Sequence, residues 1–171
     1  SCFPFKTFGK WGPLLAIQFQ KRNPINIRPF LGIKKDYNPK AIGLLLQAYS
    51  KLYKLKGLDS DLETAHWLYK WLLENYSKGY TGKCWGYNFP WASSVKYLEP
   101  FVPSSVVTGF VVKGLYAYYE ITKNQEVADT ISSAAQFILN DLPRTEDKTG
   151  ISISYTPVMK DVCYNASLLA G

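Results

Sequence analysis

The chain has 171 residues and a mass of 19.4 kDa, with 47% apolar, 16% aromatic and 19% charged side chains. This composition excludes a disordered segment, and no apolar run approaches the roughly 20 residues that a membrane-spanning helix needs. A net charge of +7 arises from 20 basic and 13 acidic residues, but the basic residues stand in small groups such as Lys21-Arg22 and Lys34-Lys35, which reads as solvated surface and not as a nucleic-acid footprint.

The first informative segment is Asn23-Pro-Ile-Asn-Ile-Arg-Pro-Phe-Leu-Gly32. Its prolines favour an extended backbone. Arg28 lies between apolar residues there, and a buried arginine needs an anionic partner. Asp36, or an acid group on a ligand, is expected to supply it.

Asn38-Pro39 then places an N-cap before proline at the first helical position. Ile42, Leu45, Leu46, Tyr49, Leu52 and Tyr53 follow at helical spacing, and Gly57 stops the helix. Ser60-Asp-Leu-Glu63 reads as a capping box. Leu62, Ala65, Leu68, Tyr69, Leu72, Leu73 and Tyr76 continue the apolar stripe on a second helix. A helical hairpin over about 39–76 results.

The same order recurs. Pro103, Ser104 and Ser105 open a third helix, and Asn124 or Gln125 opens a fourth, giving a second hairpin over about 103–142. Shifting the chain by about 66 residues lays Tyr53 on Tyr119 and Leu72 on Ile138. A third hairpin begins near Asp161 and is cut short. Helix pairs at a fixed period bury their faces on neighbouring pairs, so an array needs about three or more. The chain is therefore expected to be one partial domain, 1–171, whose remaining hairpins belong to a longer protein. A leader reading finds no support at the start of the sequence, and Cys2, Cys84 and Cys163 form neither a CxxC pair nor a zinc spacing. The expected compartment is the cytoplasm.

The residues beyond the helix period collect in the loop after each pair, and such insertions often form the binding face of an array. Tyr80-Thr-Gly-Lys-Cys-Trp-Gly-Tyr-Asn-Phe-Pro-Trp91 holds two tryptophans, two tyrosines and a phenylalanine. Flat apolar faces with polar tips suit the C–H faces and hydroxyl rims of sugars, an isoprenoid chain, or simple packing. Trp85, Tyr87, Asn88 and Trp91 are the candidate binding residues. Ser152-Ile-Ser-Tyr-Thr-Pro157 alternates like a short strand and brings in Tyr155. Asp161 and Asn165, four residues apart, would share a face if one helix carried both. Asp161 and Glu99 are the catalytic candidates, because a glycosidase needs two carboxyl groups about 5–10 Å apart. His66 is the lone histidine and reads as an ordinary helix residue, so no triad is available. The sequence contains no GxGxxG, GxxxxGK[ST], HExxH, DxDD or DDxxD pattern, and no cofactor or metal is expected.

Pro24-Ile-Asn-Ile-Arg-Pro-Phe-Leu-Gly-Ile33, Asn38-Pro-Lys-Ala41, Cys84-Trp-Gly-Tyr-Asn-Phe-Pro-Trp91, Ser154-Tyr-Thr-Pro157 and Asn165-Ala-Ser-Leu-Leu169 together resemble α/α-toroid proteins of prokaryotic capsule and O-antigen gene clusters. Those proteins are longer and carry further hairpins. Their aromatic loop often has Asp where this chain has Asn88. The resemblance implies an all-α, incomplete (α/α) toroid of helical hairpins with aromatic-rich loops on one face. The toroid scaffold is shared by six-hairpin glycosidases, lyases, sugar epimerases and terpenoid enzymes, so fold alone does not choose among them. The expected function is action on, or binding of, a carbohydrate or nucleotide sugar in surface-polysaccharide biosynthesis. The alternatives are an isoprenoid-type enzyme and a non-catalytic scaffold.

Overall fold

Asn38 and Pro39 act as the sequence predicts. In the computed structural model, which describes residues 11–30, 32–92, 97–148 and 150–171, the Asn38 side chain accepts the Lys40 N–H and Pro39 opens helix α2 (Pro39–Lys56). Gly57 ends that helix at φ 66°, a conformation that glycine adopts without a Cβ penalty. Helix α3 (Asp59–Glu74) returns against α2. The capping box at Ser60 does not form. The helix starts earlier, at Asp59, with the Leu58 carbonyl accepting the Asp61 and Leu62 N–H groups. Asp59 and Asp61 place negative charge in the first turn, where it suits the helix dipole.

The second hairpin repeats this plan. Ser104 accepts the Val107 N–H and caps helix α4 (Ser105–Thr122). Asn124 accepts the Glu126 N–H and caps helix α5 (Gln125–Asn140). Helix α6 (Tyr164–Ala170) begins a further element. It starts three residues after the Asp161 position expected from sequence, so Asp161 is not a helix residue.

The helical expectation holds in its coarse form. The described residues are mostly helical, but they also include two antiparallel strand pairs. β1 (Trp91–Ala92) pairs with β2 (Tyr97–Leu98), and β3 (Arg144–Asp147) pairs with β4 (Gly150–Ile153). The alternation around Ser152 announced β4. Helix α1 (Trp11–Arg22) was not anticipated from the sequence.

The chain divides into two compact units. The smaller holds residues 1–37 and 88–100, and the larger holds 38–87 and 101–171. Within the larger unit α2 lies between α3 and α4, and α4 also packs on α5 and α6. Ile42 and Leu46 of α2, Leu68 and Leu72 of α3, Val107, Val111 and Leu115 of α4 and Val127 of α5 form one buried core. Helices α2 and α4 approach so closely that a Cβ built on Gly114 would stand 2.3 Å from the Gly43 carbonyl oxygen. No described helix is long and apolar enough to cross a membrane.

Candidate functional site

The chemistry-bearing part of the larger unit gathers at the N-terminal end of α4. Two loops meet there, the one after the first hairpin and the one after the second. The first is tied back on itself and to α4: the Ser77 N–H donates to the Cys84 carbonyl, the Phe101 N–H to the Tyr87 carbonyl, and the Ser104 N–H to the Trp85 carbonyl. The second is held by α4 directly. Both the N–H and the hydroxyl of Ser105 donate to the Tyr155 carbonyl, at 3.0 and 3.3 Å.

Tyr155 is the centre of this arrangement. Its hydroxyl lies near the Tyr87 hydroxyl and the Ser104 side chain, close enough for both to bear on its titration. Its backbone N–H donates to the Asp161 carboxylate at 2.8 Å. Ser154 clasps the same loop, because its hydroxyl donates to the Asp161 carbonyl and accepts the Asp161 N–H. Tyr87, Tyr155 and Asp161 are all half-buried. The structure thus joins Tyr87, Tyr155 and Asp161, three of the residues singled out from sequence. It adds Ser104, Ser105 and Ser154, which sequence reading treated only as helix or strand formers. Their signal was the presence of small hydroxyl residues at the ends of elements, where side chains bond to backbone.

Burial pushes both tyrosine hydroxyls above their ordinary range. For Tyr87 the hydrogen bond with Tyr155 partly offsets the rise, and for Tyr155 the neighbouring Tyr87 adds to it. Both stay protonated at neutral pH. They are therefore hydroxyl donors and acceptors and not general bases, whose best pKa lies near the working pH.

Trp85 requires correction as a stacking platform. It is 0% exposed, so no ring face is free to meet a ligand. Its indole N–H donates to the Leu72 carbonyl at 3.0 Å, and its backbone N–H donates to the Thr108 hydroxyl. The apolar body fills the core, and the one polar tip finds a carbonyl on α3. Asn165 is also corrected. It lies on α6 while Asp161 precedes that helix, so the expected i, i+4 relation is absent. The exposed Asn165 side chain accepts the Ala166 N–H and the Cys163 thiol hydrogen.

The remaining candidates belong to the smaller unit. Arg28 is exposed, contrary to the buried position expected for it. Its N–H donates to the Asn26 side chain in a local turn, and the Asp36 carboxylate accepts the Tyr37 N–H. The ion pair expected between Arg28 and Asp36 is absent; among the described residues the ion pair is Lys54–Glu120. Asn88 is half-buried, with a side-chain oxygen that has no hydrogen-bond partner among the described residues. Trp91 is half-buried in β1, and Glu99 is exposed beyond β2. Glu99 and Asp161, the two carboxylates considered for glycosidase chemistry, fall in different units. No group of three His, Cys, Asp or Glu able to hold a metal occurs among the described residues.

A second polar cluster lies between α3, α4 and α5. The His66 Nδ1 and Tyr118 hydroxyl share a hydrogen bond, and Tyr69 stacks on Tyr118 with ring centroids 5.0 Å apart. Burial, then Tyr69 and Glu126, push the Tyr118 hydroxyl up to about 12. Burial, then the Asp141 carboxylate, push the Cys84 thiol up to about 12 from 9.0. The sign of the consequence follows from linkage. The folded protein keeps these protons above the pH at which an unfolded chain releases them. Their contribution is complete below about pH 9 and is lost as the pH rises toward 12. Melting temperature should hold from pH 7 to 9 and fall steadily above it, while absorbance at 295 nm shows buried tyrosines ionising only as the protein unfolds. Full tyrosine ionisation by pH 10.5 in the folded protein would contradict this.

No family model matches the chain. No curated protein matches it either. Among solved structures, the chain is similar in fold to a sugar epimerase from a ruminal bacterium, with 18% identity and a TM-score of 0.53 over 74% of this chain. The chain covers 32% of that protein's length, so the likeness concerns about a third of the epimerase, and at this identity it is a likeness of fold.

Proposed function

We propose that this protein binds a carbohydrate through the loop cluster at the N-terminal end of α4, and that its helical hairpins are part of an (α/α) toroid serving surface-polysaccharide biosynthesis or modification in the cytoplasm. The observation that carries the reading is the Tyr87–Tyr155–Ser104 hydroxyl cluster, fixed by Ser105 and Asp161. Protonated hydroxyls held in place by backbone bonds are suited to sugar hydroxyls, which both donate and accept. Fold similarity to a sugar epimerase supports the same ligand class. Within the cluster Asp161 is a positioning residue, because its carboxylate holds the Tyr155 backbone. The reaction, whether epimerase-, lyase- or glycosidase-like, needs groups beyond these hydroxyls.

A thermal-shift panel on the full-length protein tests the proposal. It contains neutral and acidic oligosaccharides, nucleotide sugars and polyprenyl diphosphates. A ligand at 100 times its Kd stabilises by about 2.7 kcal/mol, which moves the melt by several degrees. One sugar class should produce that shift. Tyr155→Phe should weaken its binding about 5- to 10-fold through loss of roughly 1 kcal/mol of hydrogen bonding, with little change in the unliganded melt. A shift with the diphosphates alone would replace this reading with isoprenoid chemistry. No shift with any compound would favour a scaffold.

A further inference from the structure

We propose that the smaller unit is a docking surface for an anionic lipid bilayer. The first observation is charge asymmetry. Residues 38–171 carry 13 basic and 12 acidic side chains, so six of the seven net positive charges lie before residue 38. Within residues 11–37 five basic residues, Lys21, Arg22, Arg28, Lys34 and Lys35, face one acid, Asp36. All five basic residues are exposed. What the sequence alone presents as scattered pairs is one strongly cationic unit.

The second observation is a set of exposed apolar side chains on the same unit, Ile17 among them. Trp11, Leu15 and Phe19 recur every four residues along α1, on one face of the helix, and are 61%, 67% and 64% exposed. Arg22 falls on that face one turn further on. Leu15, Phe19 and Arg22 line one surface groove. Phe30, at 88% exposure, and Ile25 are further exposed apolar side chains in the segment after the helix. Helix α1 has no acidic residue and ends in Lys21 and Arg22.

Exposed aromatic and aliphatic side chains beside cations suit a bilayer surface, where apolar groups sink to the level of the lipid headgroups while basic residues meet their phosphates. Tryptophan favours that depth. Nucleic acid would satisfy the cations but not exposed Leu15 and Ile25. A second copy of the unit would bring like charges together. The complementary partner is a surface both apolar and anionic. This inference stands apart from the carbohydrate reading, because it uses none of the α4 loop residues.

Flotation of the full-length protein with large unilamellar vesicles decides it. Vesicles of phosphatidylcholine with 30% phosphatidylglycerol should bind at least tenfold more strongly than pure phosphatidylcholine in 0.1 M NaCl. Binding should be largely lost in 0.5 M NaCl, where screening shortens the reach of the charges. Replacing both Lys21 and Arg22 with Gln should weaken partition about 30-fold, since each basic residue near an anionic surface contributes about fivefold. Phe19→Ser should weaken it on the same vesicles without changing the melting temperature. The charge variant is fully surface-located and keeps the test valid if Phe19→Ser fails to fold. Equal or absent partition onto the two vesicle types would overturn the proposal. So would duplex DNA binding unaffected by Phe19→Ser together with no flotation, or a dimer by light scattering that Phe19→Ser dissolves without any vesicle binding.

Discussion

Trp85→Ala should cost about 3–5 kcal/mol of stability, the range for deleting a large buried aromatic. For a chain of this length that lowers the melt by about 10 °C or more. Two losses combine. The indole leaves a void among core side chains of the larger unit, and the Leu72 carbonyl loses the N–H that it accepts at 3.0 Å. Trp85→Phe separates them. It retains much of the volume and removes the donor, so it should recover a large part of the loss. The measurement is urea denaturation of the variants beside wild type. If Trp85→Ala left the melt within 2 °C but abolished sugar binding, Trp85 would be a ligand platform after all and its burial would be functionally irrelevant.

Gly114→Val should destabilise by about 3 kcal/mol, the upper part of the usual range for overpacking. The reason is backbone, not side chain. A Cβ at position 114 meets the Gly43 carbonyl oxygen at 2.3 Å and the Gly43 carbonyl carbon at 3.1 Å. Neither can rotate away, so α2 and α4 must separate and open the core between them. Valine's gain in helix propensity over glycine, under 1 kcal/mol, does not offset this. Lys113→Val, one residue earlier and exposed, is the control and should stay within about 0.5 kcal/mol. Similar losses at both positions would mean that the valine itself, and not the helix crossing, is at fault.

These two effects bear on function as well. The loops at the N-terminal end of α4 are held by its N-cap Ser104 and its first residue Ser105. Displacing α4 from α2 therefore moves the Tyr87–Tyr155 pair, whereas Tyr155→Phe changes a hydroxyl and leaves the helices in place. Comparing sugar binding by Tyr155→Phe and Gly114→Val separates a lost contact from a lost scaffold.

The helical hairpins are legible in the sequence, because their information is local. Asn38-Pro39, Gly57, Ser104 and Asn124 are caps whose partners lie within four residues, and the apolar stripes of α2 to α5 repeat at the helical period. The sequence also singled out Tyr87, Tyr155 and Asp161, which the fold brings near one another. Where each loop side chain ends up depends on packing between distant elements. Trp85 and Tyr87 stand two apart in one aromatic run, yet Trp85 is sealed in the core and Tyr87 reaches the Tyr155 hydroxyl. Composition is the same for a ring that packs and a ring that binds; exposure separates them, and exposure depends on elements distant in the chain. Asp161 showed the same limit. Its partner is the Tyr155 backbone, a contact that no side-chain pattern encodes, because every residue but proline carries the same N–H.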